Sequence, residues 1–483
     1  MIMKKTNKRP DSKKTLVRIL CLALATLFVL VTILTAWPSL VGAQAYSYTA
    51  DRLIRVGLNF GASAVSSVAF TSQSGFDIGT FDSESRVFTS VASSDSTALV
   101  ASCAENGTIN ITTPEWASVY SHTSAGSPVC VRARGDNAEI GVGANTYTGF
   151  VELTFIGGAM RVVSVVYLED YIRGVVASEV YNSWPAEALK SQAVVARSFT
   201  LHNGTKHKSD GFDICDKPHC QAYTGVGKCV EAIDAAVRDT RGVIVAYEGK
   251  PALTTYHSSS GDTTESASSA WGSVPEAYPY LSSVNVGFNE TENYVNGKWS
   301  YTVSASELTD YINSKEDYAG ILKGDVQTIE CERKDGSDYV YKLTVSDAFG
   351  NEIVVEKSTH VRNFITKYCK SACFTISSHT TVKAADQKDL ILDSGNMYVI
   401  SAQGEQNLSA MSTDIEVLTS SGLKTIPHTG ERVFTIAGEG YGHGVGLSQY
   451  GAMTLAERGH DYTYILGLYY PGTQIVDYAT LGL

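Results

Sequence analysis

LEDYIRGVVASEVYNSWPAEALKSQAVVARSF, residues 168–199, runs an apolar stretch into a helix, and one acid, Glu179, sits at the join. Strand patterns at Tyr147–Ile156 and Met160–Tyr167 lead directly into it. Ser183-Trp184-Pro185 marks a helix start, with proline in the first turn, where its missing N–H is no loss. Leu189, Ala193, Ala196 and Thr200 then recur at helical spacing as the buried face. Lys190 and Arg197 lie seven apart, two turns along one side, and are expected either to point along a groove or to form a solvated basic face. Glu179 ends the apolar stretch immediately before that helix. Most glutamates are simply exposed. A desolvated one has its charged form penalised and its pKa raised, which suits it to general-acid chemistry near neutral pH.

The rest of the chain narrows the choice. Its 483 residues are enough for two to four domains. Residues 1–45 hold seven basic residues and one acid, and the remainder has 31 basic against 49 acidic side chains, a charge of about −18. An acidic body lacks the clustered Lys and Arg that phosphate contacts need, so nucleic acid is excluded as a partner. The basic tail precedes Ile19–Ala36, an apolar run broken only by Thr26, Thr32 and Thr35. Such a run reads as an export signal, and the charge asymmetry places the body outside the cell. Either the run stays as a single-pass membrane anchor, or the chain is released by cleavage after Ala45 in Ala43-Gln44-Ala45. Eight cysteines remain beyond Cys21, an even number that allows disulfides in an exported chain, Cys369 with Cys373 among them.

The expected architecture is α+β: a β-rich N-terminal region followed by a mixed α/β core forming a substrate groove. The expected segments are 1–45 (tail and anchor), 46–150 (β-rich), 151–290 (core with the acid), 291–430 (accessory) and 431–483 (C-terminal, completing the groove). Three loops carry chemistry. In HKSDGFDICDKPHCQAY (207–223), His207, Cys215, His219 and Cys220 form an N2S2 donor set for zinc, with a Cys215–Cys220 disulfide or free thiols as the alternatives. YHSSSGDTTESASSAW (256–271) is a hydroxyl-rich run flanked by Tyr256–His257 and closed by Trp271. It suits a carbohydrate-contacting rim, and without a GxSxG elbow it does not suit a serine hydrolase. GEGYGHGVGLSQYGA (438–452) has glycine at every second position from 438 to 446, so an extended chain there would have one bare face, with His443 on the other. No register satisfies GxGxxG, and Gln449 opens a helix to about Arg458.

LEDYIRGVVASEV, PAEALKSQAVVARSF, YHSSSGDTTES with its Trp271, and GYGHGVGLSQYGA, in this order, resemble the stage II sporulation protein D family, which includes amidase-enhancer proteins. The resemblance spans roughly residues 50–475. It implies a peptidoglycan lytic transglycosylase acting on glycan strands whose stem peptides an amidase has removed, with that amidase and other engulfment proteins as partners. The family's catalytic glutamate matches Glu179. Val180 and Tyr181 stand where the family usually has Met-Pro, and Asp262 replaces a glycine of its Ser-Ser-Gly-Gly motif. Lys190 and Arg197 match positions associated with the family's cleft, where they would hold the muramic carboxylate. His257, His443 and Gln449 would contact the sugar strand. The 207–223 loop resembles one that binds zinc in some members. A non-catalytic glycan-binding enhancer of an amidase would use the same motifs. A zinc hydrolase has less support, because there is no HExxH.

Overall fold

The computed structural model describes residues 52–482, apart from 125, 291–293, 295–296, 384–388, 394–397, 402–403, 408–414, 420–421 and 427–431. The apolar run Ile19–Ala36 and the Ala43–Ala45 site lie outside the described residues. No described helix is long and apolar enough to cross a membrane.

The architecture is α+β, as the sequence predicts. Strand β1 (Leu53–Asn59) buries alternate residues Ile54, Val56 and Leu58 and pairs antiparallel with β2 (Ala159–Tyr167). The sheet they share runs Ile214–Cys215, β1, β2, Phe150–Ile156, Val129–Ala133, Phe76–Asp82, Val87–Ser94. Segment 46–150 is therefore interleaved with the core, because its first strand needs β2 as a neighbour. Val162 to Val166 of β2 are all buried, as in a strand covered on both faces. They belong to one apolar cluster with Phe70, Leu99 and Ile111 of a second, six-stranded sheet and with the helices that follow.

Helix α1 (Leu168–Glu179) starts directly from β2 and is buried nearly all round, through Leu168, Tyr171, Ile172, Gly174, Val175 and Val176. Glu179 is thus the last residue of one helix, followed by an extended Val180, rather than a residue of a loop. Helix α2 (Ala186–His202) begins after Pro185 and buries the expected Leu189, Ala193, Ala196 and Thr200, but also Ser191, Val194, Val195 and Ser198 on its other sides. It is surrounded by α1, α3 (Glu231–Asp239), strand Val243–Tyr247 and the C-terminal helices. Its buried hydroxyls are satisfied locally: Ser198 and Thr200 each donate to the carbonyl four residues back, both at 2.7 Å.

Residues 252–255 lack regular strand pairing, and the short β3 (Tyr256–His257) follows them. The accessory region has its own core, built on Trp299, Leu308, Val340, Leu343, Phe364 and Ile436, and includes α4 (Ser358–Phe364). Its first strand, Lys298–Ser304, pairs with Arg432–Glu439. The chain then reaches β4 (Leu447–Ser448), which lies parallel to β3, with Tyr256 opposite Leu447 and His257 opposite Ser448. Helices α5 (Gln449–Glu457) and α6 (Tyr462–Tyr469) place Leu455, Ile465, Leu466 and Tyr469 in an apolar cluster with Val194 and Val195 of α2.

The glycine-rich segment is not an extended strand with one bare face. Gly440, Gly442, Gly444 and Gly446 all have positive φ, between 76° and 116°, so the chain coils after Glu439. The glycines serve close approach to protein: a side chain at Gly446 would run into the Thr255 carbonyl, and one at Gly440 into that of Ser259. All eight cysteines among the described residues are free thiols, Cys369 and Cys373 included.

Candidate functional site

Glu179 projects from the end of α1 into the space between α1, the 207–223 loop and α5. The Ala222 N–H donates to its Oε1 at 2.7 Å. Burial pushes its carboxyl above the usual carboxylate range, while the Ala222 N–H, the Tyr256 hydroxyl and the Gln449 amide pull in the opposite direction. Gln449 Nε2 also lies 3.3 Å from Gln192 Oε1, and the Tyr256 hydroxyl donates to Gln221 Oε1 at 3.2 Å. The groups around the acid are therefore themselves held.

Two cavities meet at this carboxyl. The smaller, about 340 Å³, is walled by Tyr181, Trp184, Tyr294 and Tyr450. Tyr294 stacks on Tyr450 at 3.9 Å between centroids, and Trp184 meets Tyr450 edge-on at 5.1 Å. The larger, about 650 Å³, is lined by Lys206, His219, His257, Trp271, Arg362 and His443 among others. Glu179, Ser258 and Gln449 border both, and no other carboxylate lines either among the described residues. His257 and His443 lie 5.5 Å apart, ring to ring, with Trp271 a further 5.5 Å from His443. Burial holds both imidazoles below the usual histidine range, His443 at about 4, and the neighbouring Arg362 charge acts in the same direction.

Of the residues expected in the cleft, Glu179, His257, His443 and Gln449 come together, whereas Lys190 and Arg197 do not. Arg197 is fully buried on the far side of α2, bonded to both Glu169 oxygens at 2.9 and 2.7 Å and to the Val243 carbonyl. Lys190 pairs with Glu187 at 2.9 Å and Asp239 at 3.6 Å. Their spacing put them on one side of a helix, but that side faces Glu169 and α3 rather than the cavities.

The donor set of the 207–223 loop is assembled. One ligand atom each from His207, Cys215, His219 and Cys220 lies within 4.8 Å of the others. His219 Nδ1 is 3.7 Å from each sulfur and 3.3 Å from His207 Nε2. Asp210 holds His207 Nδ1 at 2.8 Å, which leaves Nε2 facing the cluster, the carboxylate–imidazole arrangement that orients metal ligands. The Cys215 thiol is held well below its ordinary range, first by its hydrogen bond from Cys220. Mixed N/S chemistry at these separations fits a zinc ion.

Several contributors had no sequence signal of their own. Glu290 is fully buried and gathers donors from Ser259 Oγ at 3.3 Å, Ser260 Oγ at 2.9 Å, the Ser260 and Gly261 N–H groups and Ser448 Oγ at 2.6 Å. It ties the 256–271 loop to the start of α5. Asp262, by contrast, is exposed, and the tight position is Gly261, which has φ of 85° and where a side chain would run into that of Glu439. Arg362 comes from the accessory region. Tyr450 follows Gln449 and was readable only as a helix residue.

An α+β frame holding one half-buried acid where an aromatic cavity meets an imidazole-lined one defines a cleft protein centred on a single carboxyl. Residues 157–247 match the family model described as SpoIID, stage II sporulation protein. The chain is 29% identical over 330 residues to the amidase enhancer of Bacillus subtilis, covering 64% of this chain and 40% of that protein, so it spans well under two thirds of that relative's length. It is 26% identical to stage II sporulation protein D of the same organism, over 66% of this chain and 76% of the relative. It is also 28% identical to an uncharacterized protein of Brachyspira hyodysenteriae, over 69% and 73%. The chain is thus similar to stage II sporulation protein D and to the amidase enhancer over about two thirds of its length, and residues 157–247 carry the SpoIID match.

Proposed function

We propose that this protein acts on the cell wall as a lytic transglycosylase, cleaving the bond between N-acetylmuramic acid and N-acetylglucosamine in glycan strands and leaving 1,6-anhydro ends. The observation that carries this reading is that Glu179 is the lone carboxylate bordering either cavity among the described residues. Ordinary glycosidases use two acids, one for the leaving oxygen and one to attack or to activate water. One acid serves a reaction whose nucleophile is the sugar itself. Protonated Glu179 gives its proton to the glycosidic oxygen as the bond to the muramic anomeric carbon breaks. The resulting carboxylate then takes the proton of the muramic C6 hydroxyl as that oxygen bonds to the anomeric carbon, so the acid is regenerated without water. Holding O6 against C1 makes the intramolecular attack effective. The cavities on either side of the acid have room for sugars on both sides of the bond, and the Tyr181–Trp184–Tyr450 wall gives them faces to stack on.

His207, Cys215, His219 and Cys220 would hold a zinc ion. Such an ion would crosslink the loop whose Ala222 N–H holds Glu179. Similarity to stage II sporulation protein D and to the amidase enhancer supports a role in sporulation or wall remodelling, with an amidase and engulfment proteins as the proposed partners. Its N-terminal run would hold it at the membrane or direct its release.

The test is mass analysis of soluble products from peptide-free peptidoglycan treated with the full-length protein and its Glu179→Gln variant. Anhydro ends from the first and none from the second are expected. Reducing ends would mean a hydrolase. Similarity to the amidase enhancer favours a second reading, in which the cleft binds glycan and stimulates an amidase. Absence of any product, with amidase yield raised equally by both proteins, would establish that reading instead.

A further inference from the structure

The larger cavity contains recognition groups that the cleavage chemistry does not use. Arg362 reaches it from α4, in the accessory region, outside the segment matched by the family model. Its guanidinium is half-buried, and among the described residues it has neither an ion pair nor a hydrogen bond; only its backbone carbonyl is engaged, by the Cys369 thiol at 3.4 Å. Lys206, the cavity's other cation, donates to the His219 carbonyl at 2.6 Å. A second observation is independent of the first. His257 Nε2 is buried without a partner in a side chain only 4% exposed. The ring's Nδ1 faces the Val445 carbonyl at 3.3 Å and so carries the proton, which leaves Nε2 as an acceptor. His443 is oriented the other way: its Nδ1 accepts from the Val445 N–H at 3.1 Å, so its Nε2 carries the proton and is a donor, one that the Tyr256 carbonyl shares. The cavity thus presents an unpaired guanidinium fork, one ring donor and one buried acceptor, with Trp271 beside them.

We infer that Arg362 and His443 form a carboxylate-binding subsite that recognises the free lactyl group of muramic acid, so that the cleft selects strands from which the stem peptide has been removed. The inference rests on the transglycosylase reading for its substrate and replaces Lys190 and Arg197, which face away from the cavities. In a wall glycan the N-acetylglucosamine unit is neutral. The lactyl group of muramic acid is an anion when free and a neutral amide when it carries a peptide. A guanidinium fork matches the two oxygens of the anion, and charge-assisted bonds of that kind are the strong ones. The amide offers one acceptor oxygen and would lead a peptide past Trp271 and Tyr441 at the cavity wall. The His257 acceptor can take a sugar hydroxyl or acetamide N–H.

Binding is measured on the full-length Glu179→Gln protein, using N-acetylmuramic acid and its methylamide, in which the carboxylate is capped. The free acid is expected to bind about ten-fold more tightly or better. Adding Arg362→Gln should abolish that preference while leaving methylamide affinity unchanged. Arg362→Lys should retain part of it, since it keeps the charge but loses the fork. With Glu179 intact, Arg362→Gln should raise KM on peptide-free strands at little change in kcat. Equal affinity for the two ligands, or equal weakening of both by Arg362→Gln and Arg362→Lys, overturns the inference. A protein that prefers the free acid but yields no anhydro ends would overturn the cleavage reading and leave the subsite standing.

Discussion

Glu179→Gln should abolish cleavage while leaving the fold as stable as the parent's, or more so, by an amount that depends on pH. Glutamine keeps an oxygen to accept the Ala222 N–H, which lies 2.7 Å from Oε1, and puts an NH2 donor where the protonated acid has its OH. Loss of a positioned general acid lowers the rate by about 10²–10⁴-fold. The effect on stability follows from the direction in which the pKa moves. Burial raises the Glu179 pKa above its ordinary 4.5, so the native state holds this proton more tightly than the unfolded chain does. The parent is therefore favoured most below pH 4.5 and loses stability as pH rises through the native pKa, by about 1.4 kcal/mol for every tenfold by which folding tightens the hold on the proton. Glutamine does not titrate, and the other carboxyls cancel between the two proteins. The stability of the variant relative to the parent should climb across that window and then level off. Urea unfolding of both proteins at pH 4 and pH 8, followed by tryptophan fluorescence, measures the difference. If the variant loses ground against the parent at pH 8, the cleft favours the charged acid and the argument for a held proton fails.

Two further outcomes test the surroundings of the acid. Arg197→Met leaves Glu169 buried against little more than the Gly242 N–H at 3.4 Å and should lower unfolding free energy by about 3–5 kcal/mol, whereas Lys190→Met, at a partly exposed pair, should change it by less than about 1 kcal/mol. Chelation should lower Tm and slow cleavage together, and zinc at a hundred times its Kd should restore about 2.7 kcal/mol; a Tm unmoved by chelator would rule out a metal in the 207–223 loop.

What could be read in the sequence depended on whether the signal was local. The start of α2 at Pro185 and its spacing Leu189, Ala193, Ala196 depend on local geometry, and the structure follows them. Helix α1 is invisible to periodicity because it is buried on nearly every side, with the paired acids Glu169 and Asp170 buried along with its apolar residues, so no polar face marks it. Spacing could place Lys190 and Arg197 on one side of α2 but not say what that side meets, which is set by Glu169 in a different helix. Alternating glycines mimic the two-residue period of a strand, yet they are also the residues that adopt positive φ most freely, and here they do. Arg362 and Glu290 gave no signal at all, because each is brought to the cleft only by the tertiary fold.

The pairing of Lys298–Ser304 with Arg432–Glu439 has a consequence for how this protein could diverge. The accessory region leaves and rejoins the body through neighbouring antiparallel strands, with Lys298 opposite Glu439. Insertions and deletions between those two strands leave the positions of their ends unchanged. Glu179, Tyr256 and Gln449 lie outside that interval, whereas Arg362 lies within it. Exchanging the interval between relatives would therefore change the chemical form of glycan that is admitted while leaving the acid and its immediate neighbours in place. On the proposed reading, the guanidinium of the selectivity subsite sits on a different piece of chain from the acid, while His443 stays with the body.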